Sequence, residues 1–321
     1  DKWLGKDFGK ALRVATHPQI STISRLGNNI FESATVDAII TTFSLKGTSE
    51  IKFNDIDIDG MKLIRIVEKS ALNSPYIYDW LFSEHIDLLK KIDSSESKFI
   101  RLGLCENACA TSDAYKLKEL VKEGSMNSQL DNNYRLVNTG TIGRYYAKWG
   151  DSKLTYLGSK YQYPIISKSE FTKKFPNKYG RISGKKKIII KGLNLLDACP
   201  DFEGGIIPGI PTLIATAYEN ENLKLLLCLM NSKICRWYFK EKYPSFNYIG
   251  ATTFTPDMIN ELPLPQISNK NRNDIYSIID LIIDEKSIDS TKDTKPLEDK
   301  IEYILFGCYN LTKKEIDVIN G

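Results

Sequence analysis

A chain of 321 residues is long enough for two cores or one large one, and at 42% hydrophobic and 26% charged it has an ordinary globular composition. No apolar run approaches the ~18 residues that span a bilayer, so the sequence predicts a cytoplasmic protein with no membrane partner. The formal net charge of +4 is too small to name a partner, and its distribution says more than its sum.

In chain order, residues 7–15 carry a helical spacing, with Phe8, Leu12 and Ala15 on one face and Lys6, Lys10 and Arg13 on the other; His17-Pro18 ends the run. Two strand-like segments follow, Ile20 to Leu26 and Val36 to Phe43, joined by Gly27-Asn28-Asn29. The second is β-branched and continuous enough to predict a buried strand. Lys46 to Lys62 is polar and acidic, with Glu50, Asp55, Asp57 and Asp59 between Gly47 and Gly60, and reads as a boundary between domains near residue 50. Tyr78, Leu81, Phe82, Ile86 and Leu89 favour one amphipathic helix within 74–89, and 93–97 reads as a solvated loop. Strands then dominate, at 135–137, 142–149, 154–157 and 187–190, punctuated by glycines, which predicts a mixed α+β domain. Asn222 to Lys240 is the clearest helix, with an Asn-Ser-Lys break in its middle and Pro244 closing it. Met258 and Leu262 are expected in the core. After Leu262-Pro263-Leu264-Pro265 come two more helical periods, 275–285 and 297–309.

Catalytic signatures are missing. The sequence contains no Gly-x-Gly-x-x-Gly, no Gly-Lys-Ser/Thr and no His-Glu-x-x-His, so nucleotide hydrolysis and zinc hydrolysis have no support. Six cysteines without a CxxC pair and only two histidines, His17 and His85, predict reduced thiols and no metal site. The positive signal is electrostatic. Between Phe171 and Leu196 lie Lys173, Lys174, Lys178, Arg181, Lys185, Lys186, Lys187 and Lys191, with no Asp or Glu, a local field that attracts polyanions. A solvated lysine-rich loop without a partner is the alternative on charge alone. Arg144-Tyr145-Tyr146-Ala147-Lys148-Trp149 and Lys160-Tyr161-Gln162-Tyr163 interleave cations with flat rings. Strand alternation would place Arg144, Tyr146 and Lys148 on one side, and Tyr145 and Trp149 on the other.

Five segments carry a family resemblance. They are Lys2-Trp3-Leu4 through Phe8-Gly9-Lys10-Ala11-Leu12-Arg13; Leu26-Gly27-Asn28-Asn29-Ile30-Phe31-Glu32-Ser33-Ala34-Thr35-Val36; Ala110 to Tyr115 with Asn138 to Tyr146; Leu225 to Pro265, with Leu-Met-Asn-Ser-Lys, Trp237-Tyr238-Phe239 and Ile259-Asn260-Glu261-Leu262-Pro263-Leu264-Pro265; and Leu297 to Ile319. In this order they resemble the adenine-specific DNA methyltransferases of type II and type IIG restriction-modification systems, the TaqI-like group. Asn107 to Ser112 departs from the family's Gly-x-x-Thr-Gly. Asn73-Ser74-Pro75-Tyr76 keeps three of four letters of the family's acceptor motif, Asn/Asp-Pro-Pro-Tyr/Phe, but follows a polar linker where the family has a strand. No catalytic residue is therefore assigned in this chain.

The resemblance implies an α/β chain. C-terminal strands of a doubly wound methyltransferase sheet (1–50) precede an α+β target recognition domain (51–265) and a C-terminal helical segment (266–321). It implies sequence-specific binding of double-stranded DNA and base flipping, with the upstream catalytic domain of the same polypeptide supplying methyl transfer from S-adenosylmethionine. A nuclease, fused or separate, is a further possible partner. No cofactor is expected on this chain, which opens without Met and reads as a piece of a longer protein, inactive alone. Phe31, by its place in the late motif, is carried over as a ring stacking on the flipped base. The residues expected at DNA are Arg144, Tyr146, Lys148, Lys173, Lys174, Lys185, Lys186, Lys187, Lys191, Asn231 and Lys233; for Asn231 and Lys233 a polar helix stripe is the alternative. The rival function is a stand-alone specificity subunit or partner-binding module.

Overall fold

The computed structural model describes residues 2–27, 30–32, 38–128, 131–193, 196–244, 247–248, 251–252 and 254–321. The chain forms two compact units, Asp1–Lys91 with Tyr238–Thr252, and Ile92–Trp237 with Thr253–Gly321.

In the first unit, helix α1 (Lys10–Thr16) precedes strands β1 (Ile20–Gly27), β2 (Ala38–Phe43), β3 (Glu50–Asp57) and β4 (Gly60–Glu68). They form a mixed sheet in the order β2-β1-β3-β4, in which β1 and β3 run parallel and the other neighbours antiparallel. Residues 46–62, read as an inter-domain linker, instead supply β3 and the β3–β4 hairpin. Ile51 and Phe53 alternate inward from β3, and the acidic residues have local tasks. Asp55 takes a bidentate bond from Arg25 at 2.7 and 2.9 Å, and Asp57 accepts the Asp59 N–H at 2.9 Å in the turn before Gly60. The expected boundary at residue 50 therefore falls inside this sheet. β2 was expected to be buried, yet it is an edge strand with Ile40 and Phe43 about half exposed, and residues 36 and 37 lie outside the described part.

The face of α1 is also the reverse of the expected one. Phe8 and Leu12 are exposed, whereas Arg13 is 1% exposed. Its guanidinium donates to the carbonyls of Lys6 at 2.8 Å and Pro75 at 3.0 Å, and to that of Trp3. These carbonyls belong to short 3₁₀ turns and a loop, which lack a ladder to use them, so a multi-donor side chain is worth burying there. The single helix expected within 74–89 is split into a 3₁₀ turn, Asp79–Phe82, and helix α2 (Ile86–Asp93), because Ser83 is extended. Tyr78, Leu81, Phe82 and Ile86 still meet Ile20, Ile23, Ile51 and Phe53 in one core.

The second unit begins with β5 (Ser97–Lys98), β6 (Gly103–Asn107), α3 (Thr111–Lys118), β7 (Lys122–Glu123), β8 (Asn133–Val137), β9 (Ile142–Gly143), β10 (Tyr146–Ala147), β11 (Leu154–Tyr156), β12 (Ser159–Tyr161) and β13 (Pro164–Ser167). It continues with α4 (Lys168–Lys174), α5 (Lys178–Ser183), β14 (Lys187–Lys191), β15 (Ala198–Asp201), β16 (Ile206–Pro208), β17 (Thr212–Ala217), α6 (Asn222–Asn231) and the first half of α7 (Lys233–Lys242), whose residues from Tyr238 onward are counted in the first unit. It closes with α8 (Pro256–Asn260), β18 (Pro263–Leu264), α9 (Asn269–Ile288), α10 (Lys295–Cys308) and α11 (Lys313–Asn320). Two four-stranded sheets organise it, β15-β14-β17-β6 and β16-β8-β13-β7. Val137, Ile142, Ile189, Cys199 and Ile206 pack between them, and a larger cluster gathers Leu136, Ile166, Ile207 and Ile214 with Tyr156, Phe171, Phe175 and Tyr179. Ile188, Ile189 and Ile190 are all fully buried, as a continuous apolar strand requires.

The predicted break in the 222–240 helix lies at Ser232, whose hydroxyl donates to the Leu229 carbonyl at 2.7 Å and accepts the Cys235 N–H at 3.1 Å, capping α7. Met258 and Leu262 are buried as expected, and the two late helical periods appear as α9 and α10. Among the described residues no helix is long and apolar enough to cross a membrane, and no group of His, Cys, Asp or Glu is placed to hold a metal.

Removing Arg13 leaves buried carbonyls without donors, each costing about 1 to 3 kcal/mol. Arg13→Leu is therefore expected to destabilise the protein by at least ~3 kcal/mol, read as a shift in the urea unfolding midpoint. An unshifted midpoint would mean that water replaces the guanidinium.

Candidate nucleic-acid interface

The acid-free basic run of 171–196 folds into α4, α5, a turn and β14, and the fold divides its cations into two groups. Lys187, expected at DNA, is fully buried. It stands opposite Asp201 in the β14–β15 register and pairs with it, and its ammonium also donates to the carbonyls of Ser183 at 2.6 Å and Lys185 at 3.2 Å. Burial pulls the Lys187 pKa down while Asp201 opposes the shift. Asp201 is saturated in turn, accepting the N–H of Gly205 at 2.8 Å and of Ile206 at 3.0 Å. Alternation along β14 turns residue 187 inward with Ile189, so this lysine holds the structure and cannot grip phosphate.

The clamp has a consequence for its neighbours. It pins the turn 184–186, from which Lys185 and Lys186 project into solvent without an ion-pair partner among the described residues. The turn also interlocks with the loop after β15. A Cβ on Gly204, which has φ +71°, would lie 2.4 Å from the Gly184 carbonyl oxygen, so only glycine fits.

The other expected contacts divide in the same way. Lys148 and Lys173 are exposed with no ionic partner among the described residues. Lys174 is paired with Glu119 at 2.7 Å, Lys178 with Glu106, and Arg144 with Glu298. Lys191 pairs at 2.7 Å with Asp197, which also takes Arg236 at 2.6 Å. Lys233 reaches Asn320 at 3.1 Å and Asp299 at 3.7 Å. Asn231 is a correction: it is fully buried, accepts the Ala198 N–H at 3.0 Å and donates to the carbonyls of Ala198 at 3.0 Å and Leu227 at 3.1 Å, so its amide extends β15 where a strand would. The alternation expected over 142–149 also fails. Tyr145 has φ +61° and is 2% exposed, and the segment is a tight β9–β10 ladder pairing Tyr146 with Gly143, which leaves Tyr146 half-buried.

In the first unit Phe31 is 53% exposed, while residues 28, 29 and 33–36 of the same motif lie outside the described part. Asn73-Ser74-Pro75-Tyr76 follows a 3₁₀ turn, and Tyr76 stacks on His17 at 3.7 Å.

One constellation was not legible in the sequence. On β8, Tyr134 and Leu136 face the larger core, while Arg135 faces the same side as Val137. The Arg135 guanidinium lies 4.9 Å over the Trp149 ring. The indole is fixed by its own N–H, donating to the Pro164 carbonyl at 2.8 Å, and by an edge contact with Tyr163 at 5.3 Å. Lys168 over Tyr134 at 5.4 Å and Lys118 over Tyr161 at 5.5 Å repeat the cation-on-ring arrangement. Trp149 was placed only on the strand side opposite Arg144, Tyr146 and Lys148, and 135–137 was read only as a strand; no local spacing joins them.

The five buried thiols, Cys105, Cys109, Cys199, Cys228 and Cys235, all have their pKa raised by burial, which makes them poor nucleophiles at neutral pH. Glu302 of α10 is the unusual carboxyl. Its Oε1 accepts the Lys233 N–H at 2.7 Å, capping α7, whereas its buried Oε2 has no hydrogen-bond partner. Burial raises its pKa from 4.5 to about 7, against the pull of the Lys233 N–H, Arg144, Lys233 and Arg236.

No protein-family model and no curated protein matches this sequence. Solved structures do. The type IIL restriction-modification enzyme MmeI in complex with DNA aligns with a TM-score of 0.51 at 12% identity, over 94% of this chain and 44% of that one. The type IIG restriction endonuclease BpuSI aligns with a TM-score of 0.43 at 12% identity, over 96% of this chain and 46% of that one. The chain spans less than half the length of either. At this identity the likeness to MmeI is one of fold, a mixed α/β arrangement carried through both units.

Two predictions follow the charges. Lys187→Ala strands a buried carboxylate and should cost about 3 to 5 kcal/mol, whereas Lys185→Ala should stay within about 0.5 kcal/mol of wild type in the same denaturation experiment. For Glu302, the folded state holds its proton more tightly than the unfolded state. Its contribution is therefore fully present below pH 4.5 and is lost as pH rises through about 7. Glu302→Gln should flatten that dependence, melting several degrees above wild type at pH 8 and level with it at pH 4; equal melting temperatures at both pH values would refute the assignment.

Proposed function

We propose that this chain is the DNA-reading part of a restriction-modification enzyme, binding a specific site in double-stranded DNA. The observation that carries the reading is the division of the basic run. The lysines at Glu106, Glu119, Asp197 and Asp201 are neutralised in place, while Lys148, Lys173, Lys185 and Lys186 remain exposed and unpaired among the described residues. Exposed unpaired lysines suit phosphate neutralisation. The fold likeness to MmeI, a restriction-modification enzyme solved with DNA bound, supports the same reading.

The finer assignment extends the resemblance drawn from the sequence. Residues 1–50 belong, in this reading, to the end of a TaqI-like adenine methyltransferase domain, with Phe31 exposed to stack on a flipped base, and the cations lie in a target recognition domain closed by C-terminal helices. S-adenosylmethionine needs a glycine-containing loop after a strand and an acceptor for the amino proton; neither motif occurs in this sequence, and no methyl-transfer step is assigned to its residues. The catalytic domain, and any nuclease, are partners of this chain in the working enzyme.

Selection of a randomised duplex library on the purified chain at two salt concentrations tests the proposal. Enrichment of one short motif containing adenine, weakened by salt, is the expected result. Lys185→Ala and Lys186→Ala should weaken binding uniformly across sequences, each lowering the salt slope by about 1. Absence of binding at low salt would reject the proposal in favour of a partner-binding module.

A further inference from the structure

We infer that Arg135, placed over the Trp149 ring, is a specificity-determining residue that reads a guanine in the target duplex. The inference deepens the DNA-reading function and rests on it. Four arginines in the second unit have a buried Nε without a hydrogen-bond partner: Arg135, Arg144, Arg236 and Arg272. Three of them are committed through their terminal nitrogens, Arg144 to Glu298, Arg236 to Asp197 at 2.6 Å, and Arg272 to Asn222 at 2.9 Å. Arg135 has no such bond among the described residues. Asp201, the carboxylate that acts on it electrostatically, already accepts from Lys187, Gly205 and Ile206. Its Nε is buried without a partner, while its terminal nitrogens are not among the buried unpartnered atoms, so the end of the fork is open to an incoming acceptor.

The surroundings specify that acceptor. The guanidinium carbon lies 4.9 Å from the centre of the Trp149 ring, and Trp149 is itself held by Pro164 and Tyr163, so this cation–ring contact restrains the donor fork before anything binds. The Arg135 N–H donates to the Gly205 carbonyl at 3.0 Å, tying the residue to the loop that interlocks with the turn bearing Lys185 and Lys186. Phosphate contacts from those lysines would set the register, and a guanidinium fork suits a planar pair of acceptors. In the major groove guanine presents such a pair, O6 and N7, and arginine is its commonest partner. A phosphate would need no aromatic backing.

The test compares wild type with Arg135→Lys and Arg135→Ala in the same library selection, with melting curves to show that each variant is folded. Arg135→Lys keeps the charge and loses the fork, so it provides the deciding comparison if Arg135→Ala does not fold. The expected result is one guanine position in the wild-type motif whose preference over other bases drops by about 10-fold or more in Arg135→Lys, with the remaining motif and the salt slope unchanged. Replacing that guanine with 7-deazaguanine, which lacks the N7 acceptor, should weaken wild type and leave Arg135→Lys unaffected. An unchanged motif in Arg135→Lys, or a relaxed position that selects another base, overturns the guanine assignment and leaves the DNA-reading function standing. Failure of wild type to bind any duplex removes that function, and this inference with it.

Discussion

The buried pair of Lys187 and Asp201 is the constraint on which the second unit's surface depends. Burying both charges costs several kcal/mol per ion in desolvation, and such a pair is tolerable only when its remaining donors and acceptors are also used. Here they are: the ammonium serves two further carbonyls and the carboxylate two N–H groups. Through these bonds one ion pair fixes the β14–β15 register, closes the end of α5, shapes the turn 184–186 and leads the chain into β16. Because β16 pairs with β8, the same contact links the two sheets of the unit. A mobile basic loop would lose entropy on meeting DNA; a pinned one has lost it on folding.

That clamp also explains why the formal charge understates the surface. Much of the basic content is cancelled within hydrogen-bond distance, as in the Lys191–Asp197–Arg236 triad. The residual field therefore comes from few side chains, Lys173 of α4, Lys185 and Lys186 of the turn before β14, and Lys148 after β10, which have no ion-pair partner among the described residues. Rings interleaved with cations in the sequence became, in three cases, cations placed over rings in the structure. The Lys118 ammonium donates to the Tyr156 carbonyl at 2.8 Å, whereas the buried Nε of Arg135 has no hydrogen-bond partner.

The first unit solves a different problem with related chemistry. Its short 3₁₀ turns leave carbonyls that no ladder consumes, and Arg13 supplies donors to three of them from inside the fold. Apolar side chains on the same helix consequently lie outside, and the edge strand β2 keeps Ile40 and Phe43 partly in water. The mixed β2-β1-β3-β4 sheet uses strands from both sides of residue 50, so the acidic stretch that seemed to separate domains instead connects two halves of one sheet.

Where short-range pattern governs, the sequence was sufficient by itself. The helix over 222–240 and its break, the late helices, the apolar strand 188–190 and the buried Met258 and Leu262 all follow from periodicity, which reports on a residue and its near neighbours. The acid-free basic run was legible for the same reason, but which of its lysines stay exposed was not. What only the tertiary structure decided is which polar side chains go inside. Lys187 is buried because Asp201, 14 positions away, meets it; Asn231 because Ala198, 33 away, offers an unfinished strand edge; and Arg13 because of Pro75, 62 away. A buried polar group is stable only beside its partner, and partners this far apart in the chain leave no local signature.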